Sequence, residues 1–289
     1  MNGHSAALSH SPWQRAVGLL IRDRVGMSAL LVVVVFAFIG LGAALGWWAT
    51  QWSALSGGYY EPMSRTHWFG TNVNGQDIFA RAVYSTRVAF EVGLSVALTS
   101  TALGAVLGGL AGYFRDTWLD ALILWCKGVL DCMPFYLFVA AVAYALKGSD
   151  YGMHAAMIAT FWTTTGRLVR SEVIRLRELE FVRAARGVGV GSWQILWRHI
   201  LPNTAPLLLV QGTIVLVTAI KTEVILSFLG LGISDGVSWG RMLSAAAQEV
   251  TAGHFNNFIW ASVFLFALVM AFNLLADALH DAFDPRALR

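Results

Sequence analysis

The sequence predicts an all-α integral membrane protein of six transmembrane helices, with both termini in the cytoplasm and a helical cytoplasmic element between spans four and five. Three observations predict it. Of 289 residues, 57% are apolar and only 13% charged, against about 45–50% and about 25% in soluble domains, so the surplus apolar surface calls for hydrocarbon as its solvent. Six apolar runs approach or exceed the length of a spanning helix, about 20 residues, within which every backbone amide can bond internally. Lys and Arg are shared unequally between alternate connections, which fixes the orientation.

The first run is 25–48, and the segment before it, 1–24, carries Arg15, Arg22 and Arg24. No small-residue cleavage site follows the run, so it is expected to stay attached as the first span. Residues 49–87 then form a long outer, periplasmic segment, and 88–289 a five-helix core with a loop at 166–205 and a cytoplasmic tail. The second span, 88–114, repeats glycine at Gly104, Gly108 and Gly112, a spacing that lets a neighbouring helix approach closely. In the third, 119–146, Pro134 removes a ladder hydrogen bond and should kink the helix. The fourth, 151–168, is diluted by Thr163, Thr164, Thr165 and Gly166. The fifth and sixth are 206–229 and 258–276.

With the N-terminus inside, thirteen Lys and Arg lie in cytoplasmic segments, seven of them in the 166–205 loop, and five lie outside: Arg65, Arg81, Arg87, Lys147 and Arg241. That bias places both termini in the cytoplasm. Trp47, Trp48 and Trp52 would then form an aromatic belt at the outer interface.

Composition also excludes functions. The net charge is only +3, and the basic residues flank apolar runs instead of forming a patch with interleaved aromatics, so nucleic acid is not a partner. Cys126 and Cys132 fit neither a zinc spacing nor a disulfide framework. The phosphate-cradling GxxxxGK[ST] loop is absent, as are HExxH, GxSxG and CxxC, so no catalytic residues, metal ligands or cofactors are expected.

The long cytoplasmic loop is the most informative segment. Residues 170–177 read as a helical extension of the fourth span, too charged for hydrocarbon. Glu180-Phe181-Val182-Arg183-Ala184-Ala185-Arg186 forms a short helix stopped by Gly187, Gly189 and Gly191. Ser192 is expected to cap a second helix ending near Leu201-Pro202. Phe181, Val182 and Ala185 supply an apolar face suited to a groove on a soluble partner.

These residues resemble a known pattern. Arg183-Ala184-Ala185, Gly189 and Ile200-Leu201-Pro202 stand where the EAA…G…I-LP loop of ABC-importer permeases places its motif. The resemblance makes Glu180, Phe181, Val182, Arg183, Ala184, Ala185 and Gly189 a coupling element that docks on ATPase subunits; Arg183 replaces the motif's glutamate. His67-Trp68-Phe69-Gly70-Thr71-Asn72, then Gly75-Gln76-Asp77 with Arg81, Tyr84 and Arg87, is similar to the FGTD..GRD segment of the dipeptide, oligopeptide and nickel permease group. Here Asn72 and Gln76 replace an aspartate and an arginine. Ser227-Phe228-Leu229-Gly230-Leu231-Gly232, Ser238-Trp239-Gly240, Phe272-Asn273-Leu274-Leu275 and Asp284-Pro285-Arg286 extend the likeness to the C-type subunit. The resemblance implies a homologous second permease in a heterodimer, cytoplasmic ATP-binding subunits, a periplasmic solute-binding protein and an inner-membrane location. Alternating access would then move peptides, or a nickel chelate or other small solute.

Charges inside hydrocarbon cost about 2.5–3.5 kcal/mol or more on insertion scales, which singles out Glu91, Lys127, Asp131, Lys221 and Glu223. Lys127 and Asp131, four apart, can pair on one helix face. Lys221 and Glu223 point about 200° apart on a helix, so they cannot neutralise one another and are candidates for a transport pathway. An ATP-independent secondary transporter would also hold buried charges, but it needs no glycine-jointed cytoplasmic loop, and no inverted repeat is visible.

Overall fold

The computed structural model describes residues 12–146, 151–233 and 236–283. Lys147, Asp284-Pro285-Arg286 and Arg289 lie outside the described residues. Every regular element among the described residues is a helix, and the only strand-like pairings are isolated bridges, Leu55 with Gln76 and Thr71 with Asp77.

Helix α1 (Pro12–Arg22) leads into α2 (Arg24–Ala44) through Asp23, whose carboxylate accepts from the Val25 and Gly26 amides. The predicted first span ends at Trp48, whereas α2 stops at Ala44. Gly46 adopts φ +72°, and the Trp47 amide donates back to the Gly42 carbonyl, the glycine-dependent helix stop. Trp48 then folds over Gly42 and donates its indole N–H to the Ile39 carbonyl at 2.9 Å. Trp52 packs on Tyr84, ring centroids 4.8 Å apart. The expected belt of three tryptophans therefore reduces to Trp47, which is 62% exposed.

Helix α3 (Ile78–Tyr113) begins ten residues earlier than predicted because Asp77 caps it, accepting from the Ala80 amide at 2.9 Å. Its 36 residues extend about 54 Å at 1.5 Å each, well beyond a hydrocarbon core of about 30 Å. Its polar first turns therefore have room outside the lipid. The third predicted span is two helices, α4 (Trp118–Asp131) and α5 (Phe135–Ala145), bent by 89°. The kink expected at Pro134 is thus a full break, with Pro134 capping α5 from just before its first residue.

Helix α6 (Gly152–Arg177) carries the fourth predicted span straight on into its charged extension. After α7 (Glu180–Gly187) comes a continuous helical stretch made of α8 (Ser192–Gln194), a π turn (Ile195–Ile200), a 3-10 turn (Leu201–Thr204) and α9 (Ala205–Phe228). Ser192 is not the cap; Gly191 occupies that position, and no side chain caps α8. Nor does the helix end at Leu201-Pro202. The π turn widens the backbone ahead of Pro202, whose missing N–H lies at the start of the 3-10 turn, so the chain continues instead of stopping. Helices α10 (Trp239–Thr251) and α11 (Asn256–Phe283) complete the chain.

Among the described residues, four helical stretches are long and apolar enough to cross a membrane: Arg24–Ala44, Ile78–Tyr113, Ser192–Phe228 and Asn256–Phe283. The bent α4–α5 pair makes five if it counts as one span; α6 falls outside this group.

Helix α3 is the central post. The predicted glycine seam lies between α3 and α6: a Cβ on Gly104 would stand 2.6 Å from Thr165 Cβ, one on Gly108 2.4 Å from the Gly166 carbonyl oxygen, and one on Gly112 2.7 Å from the Arg170 carbonyl oxygen. Numbers rise together along this seam, so α3 and α6 run parallel. Helix α2 runs antiparallel to α11, with Gly26 against Ala278.

Candidate functional site

Two features combine here, a short surface helix and a polar groove. Helix α7 is fixed by one face. Val182 is fully buried in a cluster with Tyr113, Val169, Val173, Leu176, Ile195, Leu196 and Ile200, and Ala185 packs against it. The predicted apolar docking face is therefore divided: Val182 and Ala185 turn inward and anchor the helix, while Phe181, at 41% exposure, turns outward. Glu180, Arg183, Ala184, Gly187 and Val188 share the outer surface, Val188 at 82% exposure. Arg183 lies 4.0 Å from Glu178, both largely exposed, a pairing of little energetic consequence.

The helix is bounded as its composition requires. Extended Leu179 precedes it, and Gly189 follows at φ +84° with nothing near its missing Cβ. Tyr113, at the end of α3, is buried under the cluster. Arg177 Nη1 donates to its carbonyl at 2.8 Å, and the Arg177 and Arg186 guanidinium groups lie 5.9 and 5.6 Å from its ring centroid. Glu172 forks to Arg175 through bonds of 2.9 and 2.5 Å and raises that guanidinium above its usual pKa. These contacts join the ends of α3, α6 and α7 into one block.

The groove opens where α4 and α5 break. Its lining includes Asp131 and Tyr136, Thr160, Thr163 and Thr164 of α6, and Gln211, Ile214 and Thr218 of α9, around about 400 Å³. Lys127 bonds to Asp131 on its rim, the pair predicted from spacing. Gln211, Ile214, Thr218 and Lys221 fall within a 120° sector of α9 at 100° per residue, so exposed Lys221 extends the groove-lining face. Glu223 is elsewhere. It is 1% exposed inside the chain, where the Ser227 hydroxyl donates to it at 2.5 Å and Ser238 bonds to it. The two candidate pathway residues are thus not brought together. In the sequence Thr163 and Thr164 stand out only as diluting the fourth span, and Thr160, Gln211 and Thr218 not at all, although the spacing of Gln211, Thr218 and Lys221 along an apolar helix is a usable signal.

Within residues 49–87 the two neutral replacements form their own network. Asn72 Nδ2 donates to Gln76 Oε1 at 3.0 Å, and Arg81 Nη1 donates to the same oxygen at 2.5 Å. Buried Glu249 accepts the Val73 amide at 3.0 Å. Tyr60 stacks on His254 and Phe69 on Trp260, each with ring centroids 3.7 Å apart, so the segment folds back on the ends of α10 and α11.

Residues 104–289 match the family described as binding-protein-dependent transport system inner membrane component. The dipeptide transport system permease protein DppC of Bacillus subtilis (strain 168) is 32% identical over 290 residues, covering 99% of this chain and 88% of that protein. DppC of Alkalihalophilus pseudofirmus is 33% identical over 277 residues, covering 96% and 90%. The oligopeptide transport system permease protein OppC of Mycobacterium tuberculosis is 36% identical over 234 residues, covering 79% and 80%. A multi-pass membrane chain with this match over most of its length belongs to the family of binding-protein-dependent transport system inner membrane components.

Proposed function

We propose that this chain is the C-type permease subunit of an ATP-driven importer of short peptides. It works with a second permease, cytoplasmic ATPases docked on α7 and a periplasmic binding protein. The observation that carries this reading is mechanical continuity: α7 follows α6 after two residues, and four residues later the chain enters the helical stretch that becomes α9. Both α6 and α9 line the groove, so force applied to the outer face of α7 reaches both groove walls through the cluster around Val182. Closure of the ATPases would rotate those walls and alternate access to the groove, which the second permease completes. Lys221 faces this pathway; Glu223 braces α9 against the start of α10.

The reading takes six crossings, with residues 1–24, the 166–205 loop and the tail cytoplasmic, and 49–87 periplasmic. The parallel seam between α3 and α6 supports it, because two parallel spans need an intervening return, which α4 and α5 together supply. The peptide substrate is supported by the relatives, a dipeptide permease and an oligopeptide permease.

Reconstitution tests the proposal. Proteoliposomes holding both permeases and the ATPases, with ATP inside and binding protein outside, should accumulate dialanine, and this chain alone should hydrolyse no ATP. Uptake driven by an ion gradient without ATP would overturn the reading.

A further inference from the structure

A second cavity, of about 490 Å³, opens at the opposite end of the chain from α7, between the outer halves of α3 and α6 and the segments carrying Trp52 and Ile233. That volume suits a small ligand. Its lining carries charge: Arg87 and Glu91 stand one turn apart on α3, followed on the same face by Ser95 and Thr99. Arg87 Nε is 3.8 Å from Glu91 Oε2, longer than a hydrogen bond, so both groups retain bonding capacity. Tyr84 backs the arginine, its ring centroid 5.5 Å from the guanidinium carbon, and Trp52 backs Tyr84. Across the cavity His154 contributes a ring whose buried Nδ1 has no hydrogen-bond partner among the described residues.

We propose that this cavity is an outer subsite for a small zwitterion of dipeptide size, Glu91 taking its ammonium group and Arg87 its carboxylate. The proposal rests on the peptide reading above and names the residues that select the substrate's free ends. Dimensions agree: one helical turn is about 5.4 Å, and two residues of extended chain reach at most about 7 Å, so both ends of a dipeptide can engage neighbouring turns. Charge-assisted bonds favour such a ligand over blocked peptides. The His154 ring nitrogen offers a further polar contact.

The test uses the assembled transporter with Cys126 and Cys132 replaced by alanine and Ser95→Cys introduced as a reporter within the cavity. Dialanine should slow its labelling by a small thiosulfonate reagent, whereas N-acetyl-dialanine and dialanine amide should protect about tenfold less well, the loss of one charge-assisted bond. Glu91→Gln should abolish discrimination against the acetylated probe alone, and Arg87→Gln discrimination against the amide alone. Absence of protection by dialanine, equal protection by all three probes, or unchanged discrimination in both variants overturns the subsite. Selective protection without any ATP-driven uptake upholds the subsite and sinks the importer reading instead.

Discussion

Arg170 of α6 forks onto Asp120 of α4, Nε to Oδ1 and Nη2 to Oδ2, both at 2.8 Å. Fifty residues apart in sequence, the two hold the start of the bent α4–α5 pair against the helix that leads into α7. Asp120 is buried and the Arg170 side chain only 25% exposed, so replacing the carboxylate by an amide removes one arm of the fork and its charge. Asp120→Asn should lower stability by about 1.5–3 kcal/mol, read as a fall in the detergent melting temperature. An unchanged melting temperature would show that the fork contributes nothing to holding α4.

The α3–α6 seam makes a second prediction. Gly108→Val places its side chain against the Gly166 backbone, 2.4 Å from the carbonyl oxygen, where no rotamer change can relieve the overlap. The purified yield of folded chain should collapse. Gly128, with nothing within 4 Å of its missing Cβ, is the contrast: Gly128→Ala should be neutral or stabilising by about 0.5–1 kcal/mol. Equal yields from both variants would rule out a close-packed seam.

The divided faces of α7 can be separated by experiment. Val182→Ala removes buried methyl groups and should cost about 1–3 kcal/mol of stability, leaving the docking surface in place. Phe181→Asp should leave stability within about 0.5 kcal/mol of wild type while weakening ATPase co-purification at least tenfold, roughly what loss of an apolar anchor costs. Normal ATPase recovery with Phe181→Asp would remove α7 as the docking element.

Gly189 offers a purely conformational test. Its φ of +84° lies where side-chain-bearing residues are strained, yet space around it is open. Gly189→Val should uncouple substrate-stimulated hydrolysis by shifting the α7–α8 joint, and Gly189→Asn, which tolerates this region better, should retain more coupling. Identical behaviour of the two variants would mean that the joint's conformation is irrelevant to coupling.

Lys221 and Glu223 should separate as well. Lys221→Leu changes the groove-side surface of α9 and should alter uptake without loss of folded complex. Glu223→Leu removes the acceptor for Ser227 and Ser238 and should instead lower stability by about 1–3 kcal/mol. Altered uptake at normal stability for Glu223→Leu would return that residue to the pathway.

Local signals made the helical class, the α3 glycine repeat, the Lys127–Asp131 pair and the helix at 180–187 legible. Apolar run length, a four-residue spacing and glycine punctuation are read within one or two turns of chain. The boundaries were less legible. The end of α2 depends on Gly46 adopting positive φ and Trp48 folding back, and the start of α3 on Asp77 capping ten residues before the predicted span begins.

That the chain lives in a membrane, that the 166–205 loop carries a short helix and that Lys and Arg are unequally shared could be read from the residues alone, because these follow from composition and from neighbours along the chain. Packing was needed to show which face of α7 is free, that Lys221 extends the groove-lining face while Glu223 is enclosed, and that Arg87 and Glu91 open onto a cavity. Those outcomes depend on which distant helix covers each side of a residue. A 100° step per residue states the direction of a side chain about its own axis but not what waits there.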